Sequence, residues 1–210
     1  MHPINIPPRF FVTGTDTGVG KTLVSAILMA GLNAAYWKPV QSGKDEMTDS
    51  AWIRRVTGFA EDAFLPETYR LKQPLSPHAA AACDGVRIQL AAFNMPDHKK
   101  YPRLIVEGAG GVMVPLNENQ FMVDLMKYLD LPVLVVARST LGTINHTLLT
   151  LEMLRQSRLE ILGVILNGPP NEINKDAIQT YGHISVMAEV DVLPQLNFQT
   201  VSNAYRQFFR

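Results

Sequence analysis

Five short, nearly continuous apolar runs recur along the chain: "RFFVTG" (9–14), "AAYWKPV" (34–40), "RLIVEG" (103–108), "LPVLVVA" (131–137) and "EILGVILNG" (160–168). A run without alternation suits a strand buried on both faces, as in a parallel sheet. Between the runs lie segments of helical periodicity: "KTLVSAILMAGL", "TDSAWIRRVTGF", "MVDLMKYLD", "NHTLLTLEMLRQSR" and "KDAIQTYG". Strand then helix, repeated, predicts an α/β fold with a mostly parallel sheet flanked by helices, in a single domain over 1–210. The Pro-rich and polar stretches "LKQPLSPH" and "NMPDHKKYPR" read as surface connections, and no internal repeat or low-complexity segment interrupts the pattern. In such folds ligands gather at the carboxyl ends of strands, so unusual polar residues should follow the apolar runs.

Most of them do. The first run leads into "TGTDTGVGKT" and then an apolar helix. Glycines let backbone N–H groups curl inward, and a helix N-terminus adds free donors, so this order of elements fits a phosphate cradle. Lys21 would reach the terminal phosphates of a nucleotide, and the Thr22 hydroxyl would hold magnesium. The spacing differs from the usual loop, in which four residues separate the two glycines. Here that opening position is Thr15, and Gly14 stands one residue earlier. A Gly-rich turn that binds nothing is the other reading, but strand, loop, Gly-Lys-Thr and helix in sequence favour nucleotide, with a modified loop.

The second run ends in "KPVQSG". A lysine before proline is pushed toward extended backbone, which holds Lys38 at a strand end beside the loop, with Ser42 a short turn away. An ordinary solvated lysine fits these residues equally well. The third run ends in "VEGAGG", placing Glu107 where a P-loop protein needs a further magnesium contact, or else where a charge merely leaves a strand. The fifth ends in "LNGPP": Asn167 has a donor and an acceptor suited to a base edge, though Asn-Gly is also a routine turn.

Bulk composition narrows the classes. The 210 residues include 47% hydrophobic and 18% charged, with Lys plus Arg equal to Asp plus Glu at 19 each. That balance argues against attraction to nucleic acid or an anionic membrane. The beginning of the chain lacks the basic-then-apolar pattern of a secretory signal, and no apolar run approaches a membrane span. The one cysteine, Cys83, cannot close an internal disulfide, which favours a reducing, cytoplasmic setting. In "HAAAACDG" it reads as a small buried residue rather than a nucleophile.

Together "VTGTDTGVGKT", "KPVQSG", "SPHAAA", "VEGAGG" and "LGTINH" resemble the dethiobiotin synthase family, in order from Phe10 to about Asn167. The same "GTDT" loop in that family accounts for the shifted glycine. The resemblance implies ATP phosphates held by Gly18, Val19, Gly20, Lys21 and Thr22, and magnesium held by Thr22, Asp49 and Glu107. It implies Gly108, Ala109 and Gly110 beside the nucleotide, and Asn167 and Gly168 on the adenine, with Asp191, Val192 or Leu193 as further nucleotide contacts. Lys38 and Lys21 become the catalytic lysines and Ser42 a substrate contact. Gly142, Thr143, Ile144 and Asn145 would receive the substrate's carboxylate across a homodimer interface, with Tyr181 assisting. Gly18 stands where relatives often carry a larger polar side chain, and the stretch from Gly43 to Asp49 is shorter than in some.

The implied substrates are 7,8-diaminononanoate, CO2 and ATP. Two other classes share parts of the pattern. A partitioning ATPase would carry a signature lysine where this chain has Asp16. An amidotransferase-like synthetase of the cobyrinate amidase kind would need an ammonia-supplying domain, for which the chain has no room.

Overall fold

The structure, a computed structural model, describes residues 6–43 and 47–209. Strand β1 (Arg9–Gly14) leads into helix α1 (Lys21–Leu32), followed by β2 (Ala35–Trp37), β3 (Val40–Ser42), α2 (Asp49–Thr57), β4 (Phe64–Leu65), β5 (Tyr69–Leu71) and α3 (Pro77–Cys83). The second half continues with β6 (Leu104–Gly111), α4 (Met122–Leu129), β7 (Val133–Arg138), α5 (Thr143–Gln156), β8 (Ile161–Asn167), α6 (Glu172–Gly182), β9 (Val186–Val190) and α7 (Phe198–Phe208). Seven strands form one sheet in the order β4-β2-β6-β1-β7-β8-β9, while β3 and β5 pair apart from it. Every one of these pairings is parallel. The chain leaves β1 toward β2 on one side and returns through β6 to β7 on the other. The loop after β1 therefore stands where strand order reverses, the point at which open α/β sheets bind ligands.

The uninterrupted apolar runs are explained by two cores, one on each face. Along β1, Phe10 and Val12 enter one core and Phe11 the other; along β7, Leu134 and Val136 oppose Val133, Val135 and Ala137. The first core is closed by α1, α2 and α7 through residues such as Ile27, Ile53 and Val201. The second is closed by α3, α4, α5 and α6 through Ala80, Met126, Leu151 and Ile178. Burying both faces removes the period-two alternation that a half-exposed strand would show.

Several boundaries differ from the sequence reading, each for a local reason. The run "AAYWKPV" is two strands, because Pro39 has no N–H to donate to a ladder; β2 stops at Trp37 and β3 turns away to pair with β5. Helix α2 ends at Thr57 because Gly58 adopts φ 66. Helix α5 starts two residues early, at Thr143, and α6 starts at Glu172 behind an Asn171 cap that accepts from the Asn174 N–H. "SPHAAA", read partly as a surface connection, forms α3. That helix turns Ala80 and Ala81 inward and leaves Cys83 exposed, so the expectation of a buried cysteine is wrong. Edge strand β9 and α7 lie in a region without a clear apolar run; α7 packs on α1, where Gly31 is bare because a Cβ would strike the Tyr205 ring.

Candidate active site

The phosphate loop is shaped by three glycines. Gly14 has no room for a side chain, since a Cβ would lie 2.7 Å from Val19 Cγ2 and 3.0 Å from Lys21 Nζ. The Thr15 N–H donates to Val136 O at 3.0 Å, the bond that closes the Gly14–Val136 pair at the end of the β1–β7 ladder. Gly18 and Gly20 take φ 73 and 100, and Gly20 begins α1 without a side-chain cap. The first N–H groups of α1 are thus left for a ligand, as an anion site requires.

Around the loop lies a cavity of about 620 Å³ whose wall includes Thr17, Gly18, Gly20, Lys21, Thr22, Lys38, Ser42, Asp49, Glu107, Ala109 and Gly110. Residues from four separate parts of the chain meet there. The Lys38 ammonium donates to Glu107 Oε1 at 2.9 Å and to Gly108 O at 3.0 Å, and it pairs with Asp49 Oδ2 at 2.7 Å. The Thr22 hydroxyl lies 3.0 Å from Asp49 Oδ1 and 3.2 Å from Glu107 Oε1. Lys21 Nζ folds back to donate to Asp16 O at 2.9 Å.

Charge in this cavity is set by burial and by neighbours. Burial, then the nearby Lys38 ammonium, lower the Lys21 pKa to about 8. Burial also opposes the Lys38 charge, but Glu107 and Asp49 outweigh it, and its pKa rises. For Asp49 burial favours the neutral acid, yet the Lys38 ammonium prevails and lowers its pKa. The two lysines, close in space, are thus tuned in opposite directions.

Of the other expected residues, Asn167, Gly168 and Gly108 are not part of the cavity wall. Asn167 Nδ2 donates to Val19 O at 3.1 Å, bracing the phosphate loop from the end of β8. Gly168, at φ 127, lies against Ser139, whose Oγ would be 2.5 Å from an added Cβ. Gly108 packs on Phe11, and Gly110 takes φ 65 against Val114. Ser42 Oγ is buried without a hydrogen-bond partner, an orphan in the cavity wall. Gly142, Thr143, Ile144 and Asn145 form the uncapped start of α5 and are not part of this wall. Lys44, Asp45 and Glu46, in the shortened stretch before Asp49, lie outside the described residues.

Four contributors escaped the sequence reading. Ser25 and Tyr36 donate to Glu107 Oε2 at 2.7 and 3.0 Å. Gln41 Oε1 accepts from the Asp49 N–H at 3.2 Å. Arg138 reaches Asp16 Oδ2 at 2.8 Å. For Ser25 a signal existed, since it follows Thr22 by three positions and so shares its helix face.

As a donor set, two carboxylates and a hydroxyl suit a hard divalent ion such as magnesium. No cluster of three or more His, Cys, Asp or Glu is formed among the described residues. An ion here would therefore complete its shell from phosphate and water, the usual habit of magnesium.

Comparison with known proteins gives the family and the fold. A family model described as an AAA domain matches residues 8–200. The chain is 50% identical over 192 residues to the ATP-dependent dethiobiotin synthetase BioD of Paramagnetospirillum magneticum (strain ATCC 700264 / AMB-1), covering 91% of this chain and 92% of that protein. It is 43% identical over 201 residues to the protein of the same name from Rhodopseudomonas palustris (strain TIE-1), covering 96% and 94%. Among solved structures, a ParA family ATPase from Chlorobium tepidum superposes with a TM-score of 0.56 at 11% identity, covering 93% of this chain and 97% of that one. The cell division ATPase MinD from Pyrococcus furiosus gives 0.54 at 12%, covering 95% and 98%. Likeness at that identity is likeness of fold, and Asp16 occupies the loop position where the partitioning pattern has its lysine. With half of its residues shared across nearly the whole of both chains, the protein belongs to the ATP-dependent dethiobiotin synthetase family.

Proposed function

We propose that this chain converts 7,8-diaminononanoate, CO2 and ATP into dethiobiotin, a step of biotin biosynthesis. The observation that carries the reading is the convergence of Lys21, Lys38, Thr22, Asp49 and Glu107 on one cavity at the phosphate loop. An amine of the substrate adds to CO2, losing a proton to give a carbamate. A carbamate oxygen attacks the γ-phosphorus of ATP and ADP leaves. The second amine then attacks the carbamate carbon, closing the ureido ring with release of phosphate.

The obstacle is charge, because an anionic carbamate must approach an anionic phosphate. At about 4 Å and an effective dielectric near 20, each such pair repels by roughly 4 kcal/mol. Lys21 and Lys38 would offset that repulsion, and no side-chain nucleophile is needed. Thr22, Asp49 and Glu107 would hold magnesium, whose charge would neutralise the transferring phosphoryl group. Lys38 would leave its carboxylate partners for the reacting oxygens. Ser42, with its unpartnered hydroxyl, would position the diamine. Gly18, Val19, Gly20, Gly108, Ala109 and Gly110 would line the phosphates, with Asn167 and Gly168 toward the adenine. Asp191, Val192 or Leu193 are further candidates there.

A homodimer fits the remaining residues. Leu141, Leu149 and Tyr181, around the start of α5 and on α6, are 99%, 63% and 69% exposed. An interface over these apolar groups would bring Gly142, Thr143, Ile144 and Asn145 of one chain to the cavity of the other. One seven-stranded sheet, with β4 and β9 as its edges, supports a single domain over 1–210. Among the described residues no helix is long and apolar enough to cross a membrane. Balanced charge and a single cysteine support a cytoplasmic protein without nucleic-acid or membrane partners.

The test is mass-spectrometric detection of dethiobiotin from diaminononanoate, bicarbonate and ATP. Phosphate release that proceeds equally well without diamine would instead favour a switch ATPase.

A further inference from the structure

The structure assigns Tyr36 and Ser25 as the positioning residues of Glu107, their two hydroxyls fixing one carboxylate oxygen so that the other faces the cavity. Glu107 has no exposed surface. The two oxygens have different neighbours. Oε2 accepts from Ser25 Oγ at 2.7 Å and Tyr36 OH at 3.0 Å. Oε1 accepts from Lys38 Nζ at 2.9 Å and lies 3.2 Å from Thr22 Oγ1, whose one proton it shares with Asp49 Oδ1 at 3.0 Å. A carboxylate free to rotate would present either oxygen; with two hydroxyl donors on Oε2 it presents Oε1.

Local structure makes the two donors rigid. Ser25 lies three positions after Thr22 on α1, so one helix face supplies a donor to each oxygen of the same carboxylate. Tyr36 is fully buried on β2, and its ring packs edge-on against Phe64 with centroids 6.1 Å apart. Hydrogen-bond partners that orient a ligand typically change metal affinity about 10- to 100-fold when removed.

This inference rests on the reading that Glu107 helps hold the divalent ion. The test measures Mn²⁺ binding by electron paramagnetic resonance, with a non-hydrolysable ATP analogue present, for Tyr36→Phe, Ser25→Ala and the double variant. Tyr36→Phe keeps the ring packing and removes only the hydroxyl. The expected result is roughly 10-fold weaker Mn²⁺ binding for the double variant, with analogue affinity in EDTA unchanged. A lower melting temperature with unaltered Mn²⁺ affinity would make the pair merely structural and overturn the assignment. Glu107→Gln separates the two levels. If it binds Mn²⁺ as the parent does, the role of Glu107 itself is wrong. If it weakens Mn²⁺ while Tyr36→Phe and Ser25→Ala do not, only the positioning role falls. Should one single variant fail to fold, the other decides on the same readout.

Discussion

Gly20 and Asn167 stand so close that a Cβ on the glycine would lie 2.1 Å from Asn167 Nδ2. The same amide donates to Val19 O, so the end of β8 holds the phosphate loop by both contact and hydrogen bond. Gly20→Ala should therefore suffer twice, from the clash and from a φ of 100. Backbone strain of this kind costs about 1–3 kcal/mol. Adding Asn167→Ala removes the clash and leaves the φ, so the double variant should recover part of the stability. Urea unfolding of the two variants checks this; full recovery would mean that the backbone strain is negligible.

Lys38→Met should bind ATP but lose turnover by about 10²–10³, the effect of deleting one preorganised charge. It also leaves Glu107 and Asp49 facing each other without their shared ammonium. Breaking a buried pair costs about 3–5 kcal/mol, so the melting temperature should drop. Magnesium and ATP should restore much of it by supplying a cation to the same carboxylates. Near-normal turnover by the folded variant would remove Lys38 from the chemistry.

Lys21 should make ATP binding take up a proton. Its pKa of about 8 in the free protein lies below its ordinary value of 10.5. The sign of the stability effect follows: below pH 8 folded and unfolded chains both carry the proton, and the full cost of the buried charge is present. That cost fades as pH rises from about 8 to 10.5, because the unfolded chain then binds more protons. Phosphate oxygens would restore the charge. Calorimetry at pH 9 in buffers of different ionisation heats should detect uptake approaching one proton per ATP, and no uptake in Lys21→Met. Uptake that survives the substitution would point to another group.

Asp49→Asn should raise the magnesium requirement more than the diamine requirement. Asp49 begins α2, fixed by Thr48 as cap and by Gln41 Oε1 on its N–H. Steady-state titration of magnesium and of diamine separates the two effects. Unchanged magnesium dependence would mean that Asp49 serves only as the partner of Lys38.

Much of this architecture is legible in the chain because burial on both sheet faces writes itself as uninterrupted apolar runs. Where that condition lapses, legibility lapses too. Strand β9 is a sheet edge and half-buried; α7 does carry an apolar stripe at Phe198, Val201, Tyr205 and Phe208, but no apolar run points to it. In the site, Lys21, Thr22, Lys38 and Glu107 follow apolar runs, which marks them as candidates; for Lys38 and Glu107 the runs alone leave an ordinary charge at a strand end open. Tyr36 could not be read, since a buried tyrosine inside a strand looks like core until its hydroxyl is seen on Glu107. The position of Asp16 next to Arg138 is likewise a product of sheet order, which sequence does not state.

The proposed cross-chain site makes a quantitative prediction. Lys38 lines the cavity, whereas Asn145 is exposed at the uncapped start of α5 and takes no part in that wall. If each site takes Lys38 from one chain and Gly142 to Asn145 from its partner, Lys38→Ala and Asn145→Ala should complement. Random pairing after co-refolding makes about half of the dimers mixed, and each mixed dimer has one site damaged twice and one intact. About a quarter of all sites would then be active in a symmetric dimer. A site built within one chain leaves every mixed site damaged once, and activity would stay at the level of the separate variants. Sedimentation of the mixture must also show a dimer; a monomer with full activity would end the interface reading.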